Sequence, residues 1–291
     1  YIYAGGTLNI NASFSMASGG NFEVEDNGNV NINFAYGTPA TSIWAGIEIF
    51  HPNSNLVLQD WDGANDRLIP ANTSISTNTY NGYTAAFGNI ICDFGSNLGS
   101  SDDMVFLESG VNINMAHGDL IFRSNSTFGA DMRISTTGTV ISGIGGDFIV
   151  ENSYSGSQVI NMKTSGKLDF TIKGNMQLDA ATTRIQAGSI VTTNLYIDGD
   201  LNITPSAVLE FNSTIATDPV STLNLKGDLT VAASGLLQNT NDKNLGRFNF
   251  VGAGDGLTDA TTQTIDIAST SGNENRYITF SVKNGAYVKQ I

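Results

Sequence analysis

A five-residue phrase recurs along this chain: glycine, then Asp or Asn, then apolar, any residue, apolar. It reads Gly118-Asp119-Leu120-Ile121-Phe122, Gly146-Asp147-Phe148-Ile149-Val150, Gly174-Asn175-Met176-Gln177-Leu178, Gly199-Asp200-Leu201-Asn202-Ile203 and Gly227-Asp228-Leu229-Thr230-Val231. Its glycines are 28, 28, 25 and 28 residues apart. Looser copies at Gly88-Asn89-Ile90-Ile91-Cys92, Gly46-Ile47-Glu48-Ile49 and Gly20-Asn21-Phe22-Glu23-Val24 extend it backwards. A fixed period of this size marks a solenoid, in which each repeat is one coil and buries its apolar face only against its neighbours.

The apolar segments alternate with period two, as in Leu168-Asp169-Phe170-Thr171-Ile172, which predicts strands with one buried face. No stretch keeps helical spacing for three turns. One strand leads into the glycine, one follows it, and a third ends at another turn, as Val159-Ile160-Asn161-Met162 does before Thr164-Ser165-Gly166. Three strands in about 28 residues give a triangular coil. The expected fold is all-β, a right-handed parallel β-helix with three strands per coil, the handedness following the preference of parallel crossovers. Two interior ladders follow from the alignment: Phe22, Ile47, Ile90, Leu120, Phe148, Met176, Leu201, Leu229, and Val24, Ile49, Cys92, Phe122, Val150, Leu178, Ile203, Val231. The glycine is expected to supply a turn with positive φ. The Asp or Asn after it is expected to bond nearby backbone amides, so these carboxylates read as corners rather than catalysts.

All 291 residues read as one domain of nine or ten coils, starting and stopping in mid-pattern like a piece of a longer protein. The step from Gly46 to Gly88 is 42 residues, which places a loop insertion around 59–83. Insertions on solenoids map to loops on one face, often the binding face.

The net charge of −14 argues against nucleic acid and anionic membranes as partners, since both recruit Lys and Arg patches. No apolar run approaches the ~18 residues of a spanning helix. The polar surface is Asn, Thr, Ser and Gly, a composition suited to extracellular β-structure. A single cysteine, Cys92, rules out an intrachain disulfide and falls on an interior ladder, where it reads as a small buried hydrophobe.

The segments Phe248-Asn249-Phe250-Val251-Gly252-Ala253-Gly254, Thr262-Gln263-Thr264-Ile265 and Phe280-Ser281-Val282-Lys283-Asn284-Gly285-Ala286-Tyr287-Val288 resemble the wording of large Bacteroidota surface proteins. That resemblance implies an extracellular, cell-surface protein of the adhesin kind, exported by the type 9 secretion system. Its partners would be a glycan, another surface or host-cell ligand, or the secretion machinery. The sorting domain usual in such exports is not among these residues.

Three sets of residues are candidates for chemistry. Trp61, Tyr80 and Tyr83 in the insertion offer aromatic faces for sugar rings. Asp60, Asp62 and Asp66, around Gly63, offer closely spaced oxygens of the kind Ca²⁺ takes. The third set carries an enzyme alternative. Asp102-Asp103, His117-Gly118 and Arg133-Ile134 are similar in order to elements of polygalacturonase-like hydrolases, in which two carboxylates activate water. The Asn-Thr-Asp element of that family is missing, and Ser135 stands where it has lysine. His117 reads instead as a freely varying solvent position, since later coils carry Lys173, Asp198 and Lys226 at that phase. A lyase is disfavoured because the sparse Lys and Arg leave no basic cluster for a uronate carboxylate. The sequence therefore points to a non-catalytic binding or stalk segment, with a polysaccharide hydrolase as the alternative.

Overall fold

The structure, a computed structural model, describes residues 1–11, 20–33, 47–59, 67–69, 75–94, 104–124, 132–153, 159–186, 191–212, 220–239, 246–252, 262–268, 278–283 and 286–290. Among these there is no helix, and strands stack in parallel into a β-solenoid. No helix is long and apolar enough to cross a membrane. The strands form an eleven-stranded, a nine-stranded and a seven-stranded sheet, with a separate two-stranded sheet near the N-terminus. From Asn89 to Phe250, six consecutive coils each place one strand in each large sheet. The first runs Asn89–Asp93, Met104–Leu107, Asn114–Ala116, and the last Leu229–Val231, Leu236–Gln238, Gly246–Phe250.

The register explains how short strands build a dry core. In the long sheet Leu120 pairs with Phe148, Phe148 with Met176, Met176 with Leu201 and Leu201 with Leu229. All five side chains are fully buried, as is the second ladder of Cys92, Phe122, Val150, Leu178, Ile203 and Val231. Stacked strands lie ~4.8 Å apart, so each side chain packs directly on its counterpart in the next coil. Cys92 is a buried free thiol, and its burial pushes the pKa well up. Thiolate is the reactive species, so Cys92 is expected to resist Ellman's reagent in the native protein and to react only in denaturant.

The two ladders are corrected at their N-terminal ends. The strands Asn21–Val24 and Ile47–Phe50, which hold Phe22, Val24 and Ile49, form the two-stranded sheet and not the long one, and there Phe22 pairs with Glu48. The long sheet continues instead through Val30 and Ile32, then Leu56 and Leu58, all fully buried. Gly28-Asn29-Val30-Asn31-Ile32 is the true early copy of the phrase, and Ser54 stands in for the glycine of the next. The 42-residue step from Gly46 therefore dissolves. The register runs from Asn55 to Asn89, a step of 34, and a second long step of 36 separates Leu229 from Ile265. Gly46 itself lies outside the described residues.

The corner glycine also has a different cause from the one expected. Gly118, Gly146, Gly174, Gly199 and Gly227 are not among the positive-φ glycines. They are needed for close approach: a Cβ on Gly174 would stand 2.8 Å from the Gly146 carbonyl carbon and collide with Asp147 Oδ1. The Asx residue behaves as expected. Each side-chain Oδ1 of Asn89, Asp119, Asp147, Asn175 and Asp200 accepts the backbone N–H of the next coil's Asx, at 2.6–2.8 Å. Asp228 does the same for Thr264. The acidic corners are occupied in holding coil to coil.

Candidate functional site

Among the described residues the nine-stranded sheet contains one departure from parallel stacking. Asn78–Tyr80 runs antiparallel to Tyr83–Phe87, with Thr79 opposite Thr84 and Tyr80 opposite Tyr83. The two residues between them, Asn81 and Gly82, both have positive φ (50° and 80°), the mark of a type I′ hairpin turn. Thr79 and Thr84 hydroxyls meet at 2.7 Å across the strands. The short strand takes the edge of Tyr83–Phe87 that Ile47–Phe50 of the preceding coil would otherwise pair with, which separates the two-stranded sheet from the nine-stranded one. It is tied to that preceding coil through Glu48: the Ser76 N–H donates to the Glu48 carboxylate and the Asn78 side-chain amide to its carbonyl, both at 3.2 Å.

The hairpin stands over the corner glycine row and makes a cleft of about 420 Å³ with Pro52, Tyr80, Tyr83, His117, Gly145 and Lys173 in its walls. The Tyr80 ring lies between two imidazoles, 5.5 Å from His51 and 5.0 Å from His117, the latter edge-on. Tyr83 is 6.1 Å from His117. On the outer side His51 Nε2 meets Glu23 at 3.0 Å. Gly145 is the floor, since a Cβ there would strike the His117 carbonyl oxygen and press on the Tyr83 ring at 3.2 Å.

His117 is not the freely varying solvent position expected from its phase. It is only 9% exposed, because the hairpin covers it. Burial lowers its pKa, against backbone hydrogen bonds with Ala85 and Asn78 that act the other way. The ring is therefore neutral at pH 7. Its Nε2 is buried without a hydrogen-bond partner, and so is the Tyr83 hydroxyl. Burial pushes the Tyr83 pKa well above the usual phenol range. Tyr80 is raised too, first by burial and then by the charges of Glu23 and Asp26. The cleft thus has aromatic faces in its walls, with the unpartnered His117 Nε2 and Tyr83 hydroxyl buried beneath them.

Of the proposed aromatic platform, Tyr80 and Tyr83 come together in this cleft, whereas Trp61 lies outside the described residues. So do Asp60, Asp62 and Asp66, and also Asp102 and Asp103. Among the described residues no three His, Cys, Asp or Glu side chains are grouped to hold a metal ion. His117 and Arg133 do not converge. His117 follows the strand Asn114–Ala116 of the nine-stranded sheet, whereas Arg133 sits within Met132–Ser135 of the seven-stranded sheet on another face.

A second cleft of about 200 Å³ adjoins the first, with Lys173 in the walls of both. Here Asp198 pairs with Lys173 at 3.0 Å and with Lys226 at 2.5 Å. Stacking assembles this pair from lysines 53 residues apart. Two features of the sequence underlie this arrangement. Asn81-Gly82 between alternating residues is a hairpin signature, and Lys173 and Lys226 share one phase of the repeat.

Comparison with protein-family models, with curated proteins and with solved structures returned no match to this chain. What can be said of function rests on the site.

Proposed function

We propose that this chain is a non-catalytic, carbohydrate-binding β-helix segment of a bacterial cell-surface or secreted protein, an adhesin or stalk that holds a glycan in the Tyr80–Tyr83–His117 cleft. The carrying observation is the hairpin. It interrupts an otherwise regular stack and creates a cleft whose volume falls in the usual range of small-ligand sites, roughly 300–1,000 Å³. Tyrosine serves such a site well, because its ring stacks on the apolar face of a sugar while its hydroxyl bonds the sugar's own. The hydrogen-bonded role of the corner carboxylates, and the placement of His117 and Arg133 on different faces, favour binding over hydrolysis.

The test is a glycan array followed by titration calorimetry on the best ligand. Tyr80→Ala and Tyr83→Ala are each expected to weaken binding about 30-fold, the ~2 kcal/mol of an aromatic hot spot. Thr230→Ala, on the outer face of the long sheet, is expected to leave it unchanged. Full affinity in both tyrosine variants, with circular dichroism unaltered, would refute the site.

A further inference from the structure

We infer that the binding surface continues from the hairpin cleft along the corner past Lys173 to Lys226, and that it receives an anionic glycan lying parallel to the solenoid axis. This rests on the carbohydrate reading of the hairpin cleft and names the class of sugar.

Continuity comes first. Lys173 borders both clefts, so they adjoin across a single side chain. The residues involved occupy successive coils ~4.8 Å apart, a step commensurate with one residue of an extended sugar chain. Aromatic surface recurs along the path: beyond Tyr80 and Tyr83, the second cleft holds Tyr196, which is 39% exposed. Asn224 lines the second cleft as well, its Oδ1 accepting from Nδ2 of the buried Asn249 at 2.9 Å.

Charge decides the class of ligand. The chain carries a net charge of −14, yet two lysines here share one carboxylate. Elsewhere the pairs Arg123–Glu151 and Lys167–Asp169 join one cation to one anion. The lysine side chains are 46% and 48% exposed while that of Asp198 is 21% exposed, so the ammonium groups face outward and the carboxylate is recessed between them. Burial raises the Asp198 pKa, but Lys226 and Lys173 together outweigh it and hold the group ionised. Two exposed lysine side chains thus flank one recessed carboxylate at the end of an aromatic cleft. Ammonium is a compact point charge without the planar fork of arginine, so a sugar carboxylate and a sugar sulfate are served by the same chemistry.

The experiment is calorimetry with three ligands: oligogalacturonate, the same oligosaccharide after reduction of its carboxyl groups, and a sulfated galactan oligosaccharide. At least one of the two acidic ligands is expected to bind 10-fold or more tightly than the reduced one, and which does so separates carboxylate from sulfate. The double variant Lys173→Gln/Lys226→Gln is expected to abolish that difference, bringing acidic binding down to the level of the reduced ligand. Asp198→Asn, which releases both ammonium groups, is expected to tighten acidic binding, a direction that mere damage to the fold could not give. Equal binding of acidic and reduced ligands, sensitive to Tyr83→Ala, would overturn the anionic class and leave the cleft reading standing. Acidic binding sensitive to the lysines but not to the tyrosines would refute the hairpin cleft and uphold the cationic groove. Failure of all three ligands to bind would overturn the inference outright, whereas the array result on other glycans bears on the cleft alone.

Discussion

Replacing Phe122 by alanine is expected to lower the unfolding free energy by about 3–5 kcal/mol, the cost of a cavity left by a buried aromatic ring. Phe122 is fully buried in the middle of the stack. Its ring lies 5.4 Å from Phe148 in the next coil and 6.0 Å, edge-on, from Phe106 on the facing sheet. One substitution therefore removes an intercoil contact and a contact across the core. Solenoid stability is a sum of nearest-neighbour terms, so a weak interface at the centre should uncouple the two ends. The check is urea denaturation. The midpoint should fall, and the slope should fall with it if the ends then unfold separately, since the slope follows the surface exposed in each transition. Phe122→Leu should recover part of the loss. An unchanged midpoint for the alanine variant would contradict the stacked core.

The second large effect belongs to Lys163, a buried cation in the seven-stranded sheet. Its Nζ donates to Ser135 Oγ at 2.8 Å and to the Thr137 carbonyl at 2.9 Å. Both acceptors are neutral, and burial brings the pKa down to about 8. An unfolded lysine titrates near ~10.4, so between pH 8 and that value the unfolded chain binds more protons than the folded one. Stability must then rise with pH across this window, and the penalty is present in full below pH 8. The shift corresponds to about 3 kcal/mol. The raised pKa values of Cys92, above pH ~8.5, and of Tyr83, above pH ~10, act in the opposite sense, because both groups ionise in the unfolded chain and not in the folded one. In a Cys92→Ala background, where the opposing thiol is gone, denaturation midpoints should therefore climb from pH 8 to 10 and then turn over. Lys163→Met should remove the climb. A flat profile in the Cys92→Ala protein would show that Lys163 keeps an ordinary pKa.

Much of the fold was legible because the period-two alternation and the 28-residue phrase report directly on short-range geometry. Leu120, Phe148, Met176, Leu201 and Leu229 could be aligned by eye, and they stack as aligned. Legibility failed where the phrase degenerated. Gly20 and Gly46 looked like the repeating glycine, but pairing between strands selects Gly28 and Ser54, because only those put Val30 and Leu56 under Ile90. A two-fold alternation looks the same on any of the three faces, so it does not say to which sheet a strand belongs.

The site was less legible for the same reason. Tyr80 and Tyr83 could be singled out as aromatics in an irregular stretch, but not that Tyr80 would sit between His51 and His117. The burial of His117 comes from a hairpin that begins 39 residues before it. A one-residue window around His117-Gly118 carries no trace of that cover.

The sequence by itself determined the repeat, the alternation that puts one face of each strand inside, and the corner Asx residues whose oxygens reach the next backbone. These are local properties, set by side-chain size, by backbone geometry and by hydrogen bonds available at one fixed spacing. Only the tertiary structure decided which glycine opened each coil, why it had to be glycine, and that Lys173 and Lys226 stand on either side of Asp198 beside a cleft roofed by the Asn81-Gly82 turn. Those facts depend on the register between coils and on one strand paired against the grain, and register is settled by packing the whole stack at once.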